Sequence, residues 1–177
     1  MGLLDTHPEI LNRFTHLATK FSSIGYVAPM NVLWTYHFIQ GNTETANSIW
    51  QSHVKSSSQI MFQKVCQVAR ATGNIDLAFS LVRHLNEAEQ VTTGAKGIAY
   101  SCLLDCLCAS NNFQKGYSAL QDALDKKVSL EDINRTALVR LKQGVEEEGQ
   151  LFNHIIPPKN LKKELERSLS PLDWNEL

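Results

Sequence analysis

Residues 100–116 read YSCLLDCLCASNNFQKG, and this stretch decides the fold. From Tyr100 onward, apolar side chains recur at the spacing of an amphipathic helix, at Leu103, Leu104, Leu107 and Cys108. Asn112 is suited to cap a following helix, because its side chain can accept a hydrogen bond from a free backbone N–H. The small residue Gly116 would let a neighbouring helix approach closely. The stretch therefore predicts two antiparallel helices joined by a tight turn.

The same pattern occurs twice more upstream. An asparagine stands one helical turn before a small residue in three places, at Asn42 and Ala46, Asn74 and Ala78, and Asn112 and Gly116. Each small residue is preceded at a constant distance by a bulky apolar residue that begins a helical pattern, namely Met30, Phe62 and Tyr100. The intervals between the small residues bracket a period of about 35 residues, which is typical of two-helix repeats. Three stacked helical hairpins are predicted, with the variable loops at Ser52–Ser58 and Asn86–Lys96.

Partial units flank these hairpins. Glu9–Phe21 has the pattern of a lone second helix, and Leu130–Lys142 that of a further first helix. The acidic stretch Glu146–Asn153 is less regular, and Pro157-Pro158 should stop a helix before a last amphipathic stretch, Asn160–Leu169. We expect three regions: a partial repeat over residues 1–29, helical repeats over residues 30–143, and a C-terminal cap or tail over residues 144–177.

Composition limits the function classes. The 177 residues are 43% hydrophobic, and 17 Lys and Arg face 18 Asp and Glu, for a net charge of −1. A free-standing nucleic-acid binder usually carries a basic excess, because its affinity rests on phosphate neutralisation. Any RNA contact must therefore be local, weak or shared with other sequence. No apolar run reaches the length of a membrane span, and the first residues lack the features of a signal peptide or a mitochondrial presequence.

The chain contains cysteines and histidines, but their spacing does not match a catalytic or metal-binding site. The four cysteines lie within apolar helical stretches, so we expect them to pack in the core in a reducing compartment: Cys66, Cys102, Cys106 and Cys108. The six histidines lack metal-ligand spacing, and no nucleophile elbow or phosphate-binding loop is found. We predict no enzyme activity, no cofactor and no metal. Trp34 and Trp50 should be core residues, whereas Trp174 could dock a partner or pack back on the last helix.

The stretch that decides the fold resembles a known repeat. Residues 100–109 resemble the first-helix consensus TYNxLIxGLCKAG of pentatricopeptide (PPR) repeats, and residues 113–120 resemble the second helix. The signature of tetratricopeptide repeats, the nearest rival, is absent. From about Gly97 to Pro158 the chain is also similar to the C-terminal region of the animal leucine-rich PPR-motif-containing family, which includes the bicoid stability factor.

The resemblance implies a fold and a function. The fold would be all-α, a right-handed α-solenoid of helix–turn–helix repeats. The function would be that of an RNA-binding segment of a mitochondrial factor for mRNA stability, polyadenylation and translation. Its ligand would be single-stranded mitochondrial mRNA, and an RRM-containing stem-loop-interacting RNA-binding protein would accompany the full-length family member. The location would be the mitochondrial matrix, with an additional nuclear or cytoplasmic pool. The alternatives are a protein–protein docking scaffold and a structural end cap of a longer helical-repeat protein.

The resemblance also implies which residues contact RNA. PPR proteins read one base per repeat, through a side chain near the start of the first helix and another at the end of the repeat. The first-helix positions fall on Asn31, Gln63, Ser101 and Thr136, and the closing positions fall on Ser58, Lys96 and Glu131. Gln63 with Lys96 and Ser101 with Glu131 depart from the usual pairs, and Glu131 would repel phosphate. The alternative is that these polar residues simply line a solvated concave face.

Overall fold

A computed structural model describes residues 7–57, 59–88 and 90–152, without the side chains of residues 148–152. All regular structure in these ranges is helical, which confirms the predicted all-α class. The helices are α1 (Pro8–Ser23), α2 (Ala28–Ile39), α3 (Thr43–Ile49, continued by a π-helical turn, Trp50–Val54), α4 (Gln63–Thr72), α5 (Ile75–Glu87), α6 (Thr93–Ala109), α7 (Phe113–Asp125) and α8 (Arg135–Phe152), with a 3-10 turn at Leu130–Asp132. None of the described helices is long and apolar enough to cross a membrane.

The chain forms two compact units. Among the described residues, unit 1 extends to Val68 and includes the segment between α5 and α6, and unit 2 comprises Ala69–Asn86 and residues 92–152. In unit 1, α1 packs on α2 and α2 packs on α3. In unit 2, α6, α7 and α8 pack on one another, and the 3-10 turn packs on α6.

The turn inside each hairpin has one repeated backbone geometry. The N–H of each turn asparagine donates to the carbonyl five residues earlier, at 3.0 Å for Asn42 and 2.9 Å for Asn74 and Asn112. The residue just before it has a positive φ, which is 73° at Gly41, 63° at Gly73 and 54° at Asn111. This combination is the Schellman motif, which satisfies the last carbonyls of the first helix. The predicted tight turns are therefore confirmed.

The side-chain caps predicted at these asparagines are only partly confirmed. Asn74 Oδ1 accepts a hydrogen bond from the N–H of Leu77 at 2.9 Å, as a helix cap should. Asn42 and Asn112 make no such bond, so the prediction is wrong at both turns. The backbone geometry of the turn, and not the amide side chain, is what the three hairpins share.

The core of unit 1 is rich in aromatic side chains. Trp34 on α2 lies 5.1 Å, centroid to centroid, from both Phe38 and Trp50, and both tryptophans are fully buried. A second cluster packs α1 against α2, around Ala18, Met30 and Leu33. These contacts confirm that Trp34 and Trp50 are core residues.

The core of unit 2 depends on close approach between elements. Gly97 on α6 lies against the 3-10 turn, and a Cβ built there would clash with the backbone carbonyl oxygen of Asp132. A Cβ at Gly116 on α7 would meet Leu141 of α8 at 2.6 Å. The small residue predicted to admit a neighbouring helix does so at Gly116, and Ala46 and Ala78 are buried as well.

Three helix boundaries differ from those predicted. Helix α6 begins at Thr93, well before Tyr100, because the Thr92 hydroxyl accepts a hydrogen bond from the Ala95 N–H at 3.2 Å and caps it there. Helix α8 begins at Arg135 and not at Leu130, since Ile133 is extended. It then continues to Phe152, past the predicted end at Lys142 and into the stretch Glu146–Asn153 that was expected to be irregular. The stretch Asn160–Leu169 lies outside the described residues.

Candidate nucleic-acid interface

Two of the seven residues predicted to contact RNA are buried and hold the next repeat in place. Asn31 is 2% exposed, and its side chain donates to the carbonyl of Gln59 at 3.2 Å and accepts from the N–H of Met61 at 3.1 Å. Both partners lie in the segment that leads into α4. Asn31 therefore fixes the path of the chain into the following first helix.

Ser101 does the same in unit 2. It is 2% exposed, and its hydroxyl donates to the Gly97 carbonyl and accepts from the Asn134 N–H, both at 2.7 Å. Asn134 immediately precedes α8. Sequence reasoning missed this role, although a signal was present. Asn31 lies on the same helical stripe as Trp34, and Ser101 on the same stripe as Leu104, and a polar group on a buried stripe must find a partner there.

The other predicted residues are at least partly accessible. Gln63 opens α4 and is exposed, as are Glu131 in the 3-10 turn and Thr136 in the first turn of α8. Lys96 is half-buried in the first turn of α6, and Ser58 lies outside the described residues.

Unit 2 brings four of the predicted residues together. Ser101 contacts Asn134, which lies between Glu131 and Thr136 in the chain, and Lys96 precedes Gly97, which touches the 3-10 turn. Asn31 and Gln63 belong to unit 1. Base reading by Asn31 or Ser101 would require their internal hydrogen bonds to open, and the assignment of all seven residues to RNA contact stays a prediction.

A charged cluster that the sequence did not reveal lies on the first helices of unit 2. Arg70 of α4 donates from Nε to Asp105 Oδ2 of α6 at 2.7 Å, and Nη1 of Arg140 on α8 lies 3.9 Å from Asp105 Oδ1. One carboxylate thus lies between arginines from the preceding and following first helices. The sequence indicates only that Asp105 and Arg140 occupy equivalent positions in two successive repeats, each one helical turn after a predicted base-reading position.

Charge is divided between the two helices of the repeats. The second helices of the three hairpins each carry one more acidic than basic residue: Glu44 in α3; Asp76, Arg83 and Glu87 in α5; Lys115, Asp122 and Asp125 in α7. The lone second helix α1 differs, with Glu9 against Arg13 and Lys20. The first helices have no acidic excess: α2 has no Lys, Arg, Asp or Glu; α4 has Lys64 and Arg70; α6 has Lys96 and Asp105. Helix α8 carries Arg135, Arg140 and Lys142 in its first part and Glu146, Glu147 and Glu148 after them. Within a chain of near-zero net charge, the basic excess on the first helices is therefore confined to α4 and to the part of α8 before Glu146.

The second helices of unit 2 present a different surface. A groove of about 470 Å³ lies between α5, α6 and α7, and it is lined mainly by apolar side chains, with Asp76, Lys115 and Asp122 among the polar ones. Phe79 lines it and is 60% exposed. Tyr100 also lines it, and the Tyr100 hydroxyl donates to Asp122 Oδ2 at 2.5 Å and accepts from Asn86 Nδ2 at 2.8 Å. Burial and the Asp122 carboxylate raise the pKa of Tyr100, so the tyrosine stays a neutral donor.

The four cysteines are buried, as predicted, and none of them forms a disulfide bond. The Cys102 hydrogen bond and burial raise the pKa of Cys106, and burial beside Asp105 raises the pKa of Cys108 to about 11. Thiols that stay protonated are poor nucleophiles and poor metal ligands. Among the residues that the structure describes, no three His, Cys, Asp or Glu side chains are grouped to hold a metal ion.

Comparison with known families agrees with the helical repeat. The family model described as the pentacotripeptide-repeat region of PRORP matches residues 37–158, which run from the end of α2 through all of α8. No curated protein and no solved structure matches the chain. The matched span is well over half of the chain and contains all three Schellman turns. The chain therefore belongs to the PPR family.

Proposed function

We propose that this chain is an RNA-binding PPR segment that contacts single-stranded RNA through the exposed side of its first helices. PPR repeats generally bind single-stranded RNA. The observation that carries the proposal is local charge: basic side chains exceed acidic ones on α4 and on the part of α8 before Glu146, in a chain whose net charge is −1. A local basic surface is what backbone binding needs when the whole chain has no basic excess.

The test is a salt titration of binding to a fluorescently labelled single-stranded RNA, followed by anisotropy. We expect measurable affinity at low salt and a linear fall of log K with log salt, with a slope of about −0.7 for each phosphate neutralised. Double-stranded RNA of the same sequence is the control and should bind more weakly. No binding at low salt, or a slope near zero, would overturn the proposal.

The groove beside Phe79 favours a second candidate, a protein-docking scaffold. An exposed aromatic side chain at an apolar groove is a feature of protein interfaces. This surface belongs to the acidic second helices, so docking there would not use the basic surface. In the salt titration, a chain that acts only by docking would show no salt-dependent RNA binding.

We extend the proposal to a mitochondrial factor for mRNA stability, polyadenylation and translation, without catalytic activity of its own. The support is the similarity of Gly97–Pro158 to the leucine-rich PPR-motif-containing family. The location would be the mitochondrial matrix, with an additional nuclear or cytoplasmic pool, and the partner an RRM-containing stem-loop-interacting RNA-binding protein. Depletion of the protein should shorten the half-lives and poly(A) tails of mitochondrial transcripts. Unchanged transcripts would contradict this finer role but not RNA binding itself.

A further inference from the structure

In the cluster of Arg70, Asp105 and Arg140, the two arginines lie at different distances from the carboxylate. Arg70 and Asp105 form a short hydrogen-bonded ion pair at 2.7 Å, with side chains 37% and 19% exposed. Arg140 lies 3.9 Å from the same carboxylate, beyond hydrogen-bond distance, and its side chain is 61% exposed. Arg70 therefore neutralises Asp105, and Arg140 keeps an exposed positive charge beside the pair.

Stability alone gives little reason for the second arginine. An ion pair at the surface contributes little to stability, and Asp105 already has its partner. A guanidinium, however, presents N–H donors in a planar fork that matches the oxygens of a phosphate. An arginine held near an already neutralised carboxylate is positioned for an anion that comes from outside the chain.

The location along the repeat indicates which anion. Arg140 lies one helical turn, about 5.4 Å, beyond Thr136, the exposed first-helix position of α8. PPR repeats take one base each near that position. The backbone of a bound strand would therefore pass within reach of a long arginine side chain one turn further along the same helix.

We propose that Arg140, positioned together with Arg70 by Asp105, binds a backbone phosphodiester of single-stranded RNA. The inference rests on the proposed function and deepens it, because it names the group that anchors the strand. Recognition of a phosphodiester does not depend on the base, so the contact contributes affinity and not sequence preference.

The first test replaces Arg140. The variant Arg140→Gln should bind labelled poly-U and poly-A about tenfold more weakly, by the same factor for both, and the salt slope should fall by about 0.7. Arg83→Gln is the matched control: Arg83 is an exposed arginine on the second helix α5, and this variant removes the same charge. It should change affinity less than twofold. Circular dichroism melts check that both variants stay folded.

The second test replaces Asp105 and separates positioning from bulk charge. Asp105→Asn removes a negative charge, so simple electrostatics predicts tighter RNA binding. If Asp105 positions the two arginines, the variant should instead bind RNA about threefold more weakly, because Arg70 loses its fixed partner. Inorganic phosphate at constant ionic strength should not displace the RNA if the ligand is the phosphodiester of a strand.

The outcomes are distinguishable. If the unchanged chain binds no RNA, the proposed function and this inference both fail. If it binds RNA and Arg140→Gln behaves like Arg83→Gln, the inference fails and the proposed function stands. A drop in affinity for poly-U but not for poly-A would also overturn it, because a phosphate contact cannot tell the two apart.

Discussion

In the hairpin α2–α3 the interior is filled by the rings of Trp34 and Trp50, whereas in unit 2 it is closed by glycines that let neighbouring elements touch. The two regions share the Schellman turn and the buried polar residue that holds the following segment, Asn31 in one and Ser101 in the other. The two regions therefore share the backbone geometry of the repeat and differ in how the space between their helices is filled. Unit 1 should be sensitive to loss of volume and unit 2 to gain of volume.

The largest effect is expected for Trp34→Ala in unit 1. The side chain is fully buried and lies against Phe38 and Trp50, so its removal leaves a cavity and should cost about 3–5 kcal/mol. Urea unfolding followed by circular dichroism measures the loss. Val32→Ala, on the exposed side of the same helix, is the control and should cost well under half as much. Equal losses for the two variants would contradict a volume-filled core.

The next effect is expected for Gly97→Ala in unit 2. The added methyl group would meet the carbonyl oxygen of Asp132, which is backbone and cannot rotate away, so we expect a loss of about 2–3 kcal/mol. Gly94→Ala on the same helix is the matched control. Its Cβ would meet Asp132 Oδ1 at an ordinary 3.6 Å, and the gain in helix propensity should stabilise the chain by up to about 1 kcal/mol. Hydrogen exchange should show the Gly97→Ala effect in unit 2 amides. The same sign for both alanine variants would contradict the close approach.

The smallest losses of stability are expected for substitutions of Asn31 and Ser101, the two buried polar residues that hold the following segment of chain. Asn31→Ala should cost about 2 kcal/mol, because it leaves the Met61 N–H without its side-chain partner and removes the hydrogen bond from the buried Asn31 amide to the Gln59 carbonyl, which keeps only the Ser57 hydroxyl as a side-chain donor. Ser101→Ala should cost about 1 kcal/mol, since it leaves only the Asn134 N–H without its side-chain partner. Thermal melts of both variants, with the exposed Thr136→Ala as control, give the ranking. If either residue instead reads a base, its variant should lose RNA affinity with no change in melting temperature.

Much of the fold could be predicted from residue spacing. The stripe from Tyr100 to Cys108, the turn at Asn112 and the small residue Gly116 predicted a helical hairpin, which the structure contains. The burial of the four cysteines and of Trp34 and Trp50 was predicted as well. These features are local or depend on one face of one helix, so a periodic pattern carries them.

The parts that could not be predicted depend on partners distant in the chain. Asn31 and Ser101 looked available for a base because their hydrogen-bond partners lie about thirty residues away. The early start of α6 at Thr93 was missed because Gly94 and Gly97 weaken the helical pattern. Of the two, Gly97 is required for the approach of the 3-10 turn, which is a tertiary contact.

The amino-acid sequence by itself determined the helical repeat, because periodicity, turn chemistry and burial of apolar faces act within one hairpin or between adjacent ones. Tertiary structure alone decided which polar groups form hydrogen bonds or ion pairs within the protein and which stay exposed. It buried Ser101 against Asn134, and it placed Arg70 and Arg140 on either side of Asp105. The physical reason is that hydrogen bonds and ion pairs form only within a few ångströms, and packing brings residues distant in the chain to that separation.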